Sequence, residues 1–423
     1  MLDIKYIREH AEEVKKNCAD RLSNANIDEV LTLDEQRRQA ISEIDALRAE
    51  RNQGSKGKPT PEEIEAMKNK RAKIAELEAS LLELEAKYNE ALFKVPNLSH
   101  PDVKRSDNED DNPVIATSGE PTKFDFEPKD HVQLAAELDL IDFDKATDVS
   151  GAKFYYLKNE LALIEYALVQ YAMETLYKKG YTPMITPDIA KDEVLKGAGF
   201  SPRGESTQTY SIEGTDLSLI GTAEITMSGY HMGEVFDESD LPKKYVAVSH
   251  CFRTEAGSYS KYSKGIFRVH QFTKAEMFQY TKPEDSEKAH LELLEIEKEI
   301  FKGLEIPFRV VDHCTADLGA PSYRTYDLEA WMPGKPNKEG KMGDWGEITS
   351  TSNCTDYQAR SLNIKYKTIE GKKEYVHMLN GTAISLCRAM ISLMENHQQS
   401  DGSIKIPSVL HKYLPEGLTT IKK

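Results

Sequence analysis

The residues best suited to chemistry lie between Val248 and Phe278, where Arg253 and Glu255 stand two apart and Arg268, Phe272 and Glu276 follow a loop rich in glycine, serine, tyrosine and lysine. Both flanks read as β-strands carrying these side chains. Residues two apart on a strand share a face, so the hairpin is expected to gather two guanidiniums, two carboxylates and an aromatic ring around one cleft. Such a set suits a nucleotide. A guanidinium offers a planar fork to phosphate oxygens, a ring can stack on a base, and carboxylates accept hydrogen bonds from amino groups and hydroxyls. A surface hairpin with cross-strand ion pairs is the alternative reading, and such pairs contribute little energy. The chain has neither G-x-x-x-x-G-K-[ST] nor a dinucleotide fingerprint, so a nucleotide requires some other fold to hold it.

The elements around this hairpin point to an α+β architecture. An amphipathic helix is expected near Glu160 to Lys179, with Leu161, Ile164, Leu168, Tyr171 and Leu176 on its apolar face. Runs such as Tyr245–Ser249, Phe308–Val311 and Thr325–Trp331 read as strands. Their succession without regular crossover helices favours an antiparallel sheet flanked by helices over a doubly wound parallel one.

The N-terminal part has a different period. Val30, Leu33, Arg37, Ala40, Ile44 and Leu47 alternate spacings of three and four, as do Met67, Ile74, Leu77, Leu81, Leu84, Tyr88, Ala91 and Val95, interrupted at Lys70. Between the runs lies Gly54-Ser55-Lys56-Gly57-Lys58-Pro59-Thr60-Pro61, where Thr60 is placed to cap a second helix with Pro61 first and Glu63 third. The pattern is that of an antiparallel coiled-coil arm, about 40 to 50 Å long at ~1.5 Å per residue. Its end carries Arg48, Arg51, Lys56, Lys58, Lys68, Lys70, Arg71 and Lys73 against four carboxylates, a local charge of +4 on a chain whose total is −16. Polyanion binding along the arm is one reading, and plain solvation of two amphipathic helices is the other. An N-terminal domain of residues 1–103, an acidic, proline-punctuated linker at 104–120 and a second domain at 121–423 are expected.

At 423 residues and 39% hydrophobic, the chain can build two or three domains with substantial cores. The net charge argues against a protein whose whole surface grips nucleic acid, and leaves a local basic patch open. Cys18, Cys251, Cys314, Cys354 and Cys387 are odd in number, widely spaced and without a C-x-x-C pair, as expected of reduced thiols in a cytoplasm. No apolar run approaches the ~18 residues that span a bilayer, and no signal-like segment opens the chain, so a soluble cytoplasmic protein is expected. His313-Cys314 lacks spaced ligand partners, so no zinc is expected. Asp327 and Glu329 read as the polar face of a strand.

Phe252-Arg253-Thr254-Glu255, followed by Arg268-Val269-His270-Gln271-Phe272, resembles motif 2 of the class II aminoacyl-tRNA synthetases. More narrowly, the chain resembles the bacterial-type seryl-tRNA synthetases, from MLDIKYIREHAEEVKKN at the start to DGSIKIPSVLHKYLPEG at the end. The resemblance implies the class II core, an antiparallel sheet flanked by helices and preceded by the helical arm. Gly180-Tyr181-Thr182-Pro183-Met184-Ile185-Thr186-Pro187 resembles motif 1, which forms a dimer interface in the family, so a homodimer is implied. Leu379-Asn380-Gly381-Thr382-Ala383-Ile384-Ser385-Leu386-Cys387-Arg388 resembles motif 3, with Ala383 and Cys387 at positions that are commonly small or glycine.

By this resemblance ATP is held by Arg253, Glu255, Arg268, Val269, Phe272, Glu347, Ser350 and Arg388. Arg253 is implied at the α-phosphate, Glu255 at the adenine amino group, Phe272 under the adenine ring, and Arg388 at the γ-phosphate of a bent ATP. Arg268 adds charge near the phosphates, and the three arginines are the catalytic set. Glu347 and Ser350, in Glu347-Ile348-Thr349-Ser350-Thr351-Ser352-Asn353-Cys354, are implied ligands of a magnesium ion, which favours oxygen donors and retains waters. Serine is implied at Thr222, Glu224, Arg253, Glu276 and Thr382, with Glu224 at the ammonium and Glu276 and Thr382 at the hydroxyl. Gly221 stands where many relatives have proline.

The implied reaction is ATP-dependent activation of L-serine to seryl-adenylate and transfer to the 3′-hydroxyl of tRNA(Ser), recognised through its long variable arm and acceptor end. The selenocysteine tRNA is a further implied acceptor. Two other readings remain, a ligase that loads an amino acid onto a carrier protein and a non-catalytic RNA-binding paralogue. The first should lack the long arm, and the second should have lost some of Arg253, Arg268 and Arg388.

Overall fold

The computed structural model describes residues 1–53, 60–202, 207–256 and 262–423. It divides into two compact units, Met1–Leu98 and Ser99–Lys423.

In the first unit two short helices precede two long ones, α1 (Ile27–Gln53) and α2 (Pro61–Phe93). Ion pairs between them fix an antiparallel register. Arg37 meets Glu85 at 3.0 Å, Arg48 meets Glu78 at 2.7 Å and Glu50 meets Lys70 at 2.9 Å, so position rises on one helix as it falls on the other. Val30, Ile44, Ile74, Tyr88 and Ala91 of the heptad seam are buried. Arg37 is tolerated within that seam because its guanidinium lies 5.5 Å from the centre of the Tyr88 ring while its Nε binds Glu85. Lys70 interrupts the period for a similar reason, its ammonium reaching across to α1. Of the turn expected at 54–61, residues 54–59, with Lys56 and Lys58, lie outside the described residues, as does the Glu63 side chain.

The second unit is built on an eight-stranded sheet. In chain order its strands are β1 (Val114–Ser118), β2 (Thr182–Ile185), β3 (Lys243–Phe252), β4 (Gln271–Thr281), β5 (Phe308–Asp312), β6 (Arg324–Pro336), β7 (Met342–Asn353) and β8 (His377–Ser385). Across the sheet they run β1-β5-β6-β7-β8-β4-β3-β2, antiparallel at every junction except β2 with β3. The parallel junction follows from the long connection between those two strands, which a tight hairpin could not supply.

Three larger helices pack on the sheet, α3 (Asn159–Lys178), α5 (Ser286–Gly303) and α7 (Leu386–His397), with short helices α4 (Ala223–Gly229) between β2 and β3 and α6 (Tyr357–Leu362) between β7 and β8. Leu161, Ile164, Leu168, Tyr171 and Leu176 of α3 are all buried, the face that their spacing predicts. The helix ends at Lys178, and just beyond its Lys179 cap Gly180, with φ 84°, lets the Tyr181 N–H return to the Leu176 carbonyl at 3.1 Å.

Residues 104–120, expected as a linker, are not connection throughout. Val114–Ser118 adds an edge strand to the sheet by pairing with β5. The β-prone run Val-Ile-Ala-Thr between Pro113 and Gly119 is long enough to join that edge once β5 offers it, and nothing local to the acidic stretch reveals the partner.

Candidate active site

A cavity of about 290 Å³ opens over the loop after β3, over β4, β7 and β8 and over the starts of α4 and α7. Thr222, Glu224, Arg253, Glu255, Arg268, Val269, Phe272, Glu276, Glu347, Ser350, Thr382 and Arg388 all line it. Two arginines of the β3–β4 loop and one from the start of α7 thus meet in one space.

At its entrance the β3–β4 hairpin holds Cys251 opposite Phe272 and Ala247 opposite Glu276. The strand reading of the chemistry-bearing residues needs correction here. β3 ends at Phe252 and β4 begins at Gln271, so Arg253, Glu255 and Arg268 sit on the loop beyond the ladder. One further bond, Arg253 N–H to the His270 carbonyl at 3.0 Å, extends the pairing. Glu255 then turns away at φ 53°, a left-handed conformation that is costly for a residue with a side chain and persists where the surroundings enforce it. That turn, and not strand alternation, brings Glu255 Oε2 within 3.3 Å of Arg268 Nη1. Arg253 donates from Nε to the Gly221 carbonyl at 3.2 Å, and its guanidinium carbon lies 5.2 Å from the centre of the Phe272 ring. The ring face implied for adenine therefore carries a cation.

At the opposite end Arg388, in the first turn of α7, places Nη1 2.9 Å from Glu347 Oε1, and its guanidinium carbon is 4.9 Å from the centre of the Phe267 ring. Glu347 and Ser350 are three apart, a spacing that sends side chains to opposite faces of a regular strand. A β-bulge resolves this. The ladder slips so that Thr349 faces Leu328 while Glu347 faces Glu329, leaving Ile348 unopposed and turning both candidate ligands to the cavity. Burial pushes the Glu347 carboxyl up, but the charges of Arg388, His313 and Arg253 outweigh it and hold the group below the usual carboxylate range. An ionised carboxylate and a hydroxyl on one wall make an all-oxygen donor set, the donor chemistry that would suit magnesium.

Asp327, given no chemistry from its sequence position, stands across from Ser350 and accepts a hydrogen bond from its hydroxyl. His313 braces Asp327 at 2.9 Å, with Asp317 at 3.3 Å on the other ring nitrogen. Burial would lower the His313 pKa, yet these two carboxylates raise it to about 10. Its neighbour Cys314 is buried and donates to the Asn108 carbonyl. Among the described residues no cluster of three or more His, Cys, Asp or Glu is arranged to hold a metal.

Thr222 caps α4, its hydroxyl accepting the Glu224 N–H at 3.2 Å, which turns Glu224 inward. Glu224 Oε1 accepts from Gln358 Nε2 at 2.8 Å and Asn380 Nδ2 at 3.0 Å. Burial first, and the neighbouring Glu276 second, push its carboxyl up to about 7. Deeper still, Lys274 Nζ lies 2.5 Å from Glu276 Oε2, and the Thr382 hydroxyl is 3.2 Å from the same oxygen. Lys274, Gln358 and Asn380 were not singled out in the sequence. Only Lys274 had a usable signal, the alternation Phe272, Lys274, Glu276 along β4. Ala383 and Cys387 are buried without left-handed backbone, and the Cys387 thiol lies 3.0 Å from the Tyr155 hydroxyl.

On the arm, Arg48 and Lys70 are engaged in the interhelical pairs described above, and Lys73 lies 3.5 Å from Glu76. Lys68 and Arg71 are exposed, and Arg51 occupies the last turn of α1.

Family models match the chain in two places. Residues 1–99 match the seryl-tRNA synthetase N-terminal domain, and residues 209–397 match the tRNA synthetase class II core domain (G, H, P, S and T). The serine--tRNA ligase of Treponema denticola is 52% identical over 420 residues, 98% of each chain. Among solved structures, seryl-tRNA synthetase from Pyrococcus horikoshii complexed with ATP superposes with a TM-score of 0.88 at 41% identity, covering 100% of this chain and 99% of that one. The cytoplasmic serine-tRNA ligase of Naegleria fowleri in complex with AMP gives 0.84 at 32% identity, with the same coverage.

Proposed function

Since this chain belongs to the seryl-tRNA synthetases and acts as a serine--tRNA ligase, we propose that its cavity holds ATP and L-serine end to end and joins them as seryl-adenylate before transfer to tRNA. The observation that carries this reading is the convergence of Arg253, Arg268 and Arg388 on one cavity whose floor presents Glu224, Glu276 and Thr382.

The serine carboxylate attacks the α-phosphorus, a new P–O bond forms, and the bond to pyrophosphate breaks with its electron pair on the leaving group. No proton needs to be removed from the nucleophile. An anion approaches a polyanion, so fixed guanidiniums in a partly dry site lower the barrier more than they could in water. Arg253 reaches the α-phosphate after leaving the Phe272 ring to adenine, Glu255 accepts from the adenine amino group, and Arg268 and Val269 border the nucleotide. Arg388 takes the γ-phosphate. Bound magnesium supplies charge neutralisation at the phosphates, held on the protein side by Glu347 and Ser350. Glu224 receives the serine ammonium, and Thr222 and Arg253 complete that end. The terminal adenosine 3′-hydroxyl of tRNA(Ser) then attacks the activated carbonyl and AMP leaves.

The arm is assigned to the long variable arm of tRNA(Ser), and of the selenocysteine tRNA where it exists, by shape and backbone charge. A homodimer through the motif 1 region is supported by Ile185 on edge strand β2, 87% exposed, and by exposed Leu163 and Tyr166 on α3. The five buried thiols suit a reducing cytoplasm, and among the described residues no helix is long and apolar enough to cross a membrane.

Serine-dependent exchange of labelled pyrophosphate into ATP, followed by charging with and without residues 30–95, tests this reading. Exchange that persists without the arm while charging falls is expected. Absent exchange favours the non-catalytic paralogue, and normal charging by the truncated protein removes the arm's role.

A further inference from the structure

We propose that Lys274 reads the substrate hydroxyl jointly with Glu276, and that this pair sets the preference for serine over alanine. The inference rests on the cavity floor being the serine pocket.

Lys274 is 6% exposed, an unusual place for an ammonium unless it is paired. It shares a face of β4 with Phe272 and Glu276 and lines the cavity with them. Its Nζ lies 2.5 Å from Glu276 Oε2 and 3.3 Å from Thr382 Oγ1. An ammonium carries three N–H donors. The third has no partner among the described residues.

The acceptor side is equally specific. Glu276 Oε2 takes both the Lys274 ammonium and the Thr382 hydroxyl, the latter at 3.2 Å. Oε1 has no protein partner among the described residues. One donor and one acceptor therefore stand side by side, which matches a hydroxyl, a group that donates once and accepts as well. The serine hydroxyl donates to Glu276 Oε1 and accepts from Lys274 Nζ. Thr382 plays a different part. Its proton goes to Glu276 and its oxygen accepts from Lys274, so it holds the pair in place across the β4–β8 ladder, where it faces Glu276 directly.

Alanine enters the same pocket without the hydroxyl and leaves a donor and an acceptor of an ion pair unmatched, the arrangement that discriminates most strongly against an analogue lacking a polar group. A thiol, a weak donor and weak acceptor, matches them poorly.

The test is pyrophosphate exchange with serine and with alanine in Lys274→Met, which keeps most of the side-chain volume. A roughly 10- to 100-fold fall in kcat/KM for serine is expected, from loss of one charged hydrogen bond. The serine-to-alanine ratio should fall by a similar factor, with KM for ATP within about twofold, since a charged hydrogen bond to the hydroxyl acts on serine alone. An unchanged ratio overturns the inference. Glu276→Gln separates it from the reading beneath it. If both variants leave the KM for serine untouched, the floor is not the serine pocket; if only Glu276→Gln raises it, the role of Lys274 alone is wrong. Should Lys274→Met fail to fold because it strands a carboxylate, Lys274→Met combined with Glu276→Gln is compared with Glu276→Gln. A further drop in the ratio supports the role of Lys274, and no further drop contradicts it.

Discussion

Arg388 and Glu347 are ion-paired at one end of the cavity, with Nη1 2.9 Å from the carboxylate and 3.1 Å from the Glu347 carbonyl oxygen. The cation assigned to the γ-phosphate thus neutralises the carboxylate assigned to magnesium until ATP brings both a phosphate and a metal. Arg388→Ala is expected to lower exchange roughly 100- to 1000-fold, the scale seen when one fixed donor to developing charge is removed. Glu347→Gln should instead raise the magnesium concentration needed for half-maximal exchange. Titrating magnesium at fixed ATP in both variants distinguishes the two roles.

With Glu224 in its proposed place at the serine ammonium, serine binding is expected to depend on pH. Its carboxyl titrates near 7 in the folded protein against an ordinary 4.5, so below about 7 it is neutral and attracts an ammonium poorly. The kcat/KM for serine should therefore rise with pH and level off above about 7, and Glu224→Gln should flatten that inflection. Stability moves the opposite way. The folded state keeps a proton that the unfolded chain has lost, so this group reduces stability as pH rises from 4.5 to about 7. Urea unfolding across that range, with Glu224→Gln as the reference, isolates the contribution.

The arm cations divide by what already holds them. Arg48 and Lys70 pair with carboxylates of the opposite helix, whereas Lys68 and Arg71 are exposed. Ala substitution at Lys68 and Arg71 should weaken tRNA binding and flatten its salt dependence by about one unit of log–log slope for each phosphate no longer neutralised. The same change at Arg48 or Lys70 should loosen the hairpin by no more than ~1 kcal/mol, the scale of an exposed ion pair. Filter binding at several salt concentrations and thermal melts of the four variants would show the contrast.

Gly221 has room for a methyl group. A Cβ there would lie 3.6 Å from the Phe252 carbonyl oxygen, an ordinary contact, and the backbone is not left-handed. Gly221→Ala is expected to stabilise by roughly 0.4–1 kcal/mol, by restricting the unfolded chain. The Arg253 bond to the Gly221 carbonyl does not involve the missing side chain, so the KM for serine should hold. Chemical denaturation with parallel kinetics checks both.

Periodic features were legible in the sequence because they depend only on local spacing. The heptads of α1 and α2 and the buried face of α3 are of this kind. The set of residues around the cavity was legible through its resemblance to known motifs. What escaped depended on tertiary register. Arg253, Glu255 and Arg268 read as strand residues because alternation says nothing about where a ladder stops, and the left-handed turn at Glu255 has no glycine to signal it. The bulge at Ile348 that unites Glu347 with Ser350 leaves no mark in the chain. Lys274 was not singled out because Thr382, which bonds both it and Glu276, meets them only after β4 pairs with β8. Val114–Ser118 read as linker because its partner β5 lies nearly 200 residues away in the chain.

The measurement that bears most directly on the shared-cavity reading is exchange of labelled pyrophosphate into ATP by the full chain, with serine present or withheld. Exchange that requires serine, and that falls roughly 100- to 1000-fold in Arg388→Ala while the variant keeps its melting profile, is the expected result. Exchange without serine, or an Arg388→Ala variant as active as the parent, would contradict the account.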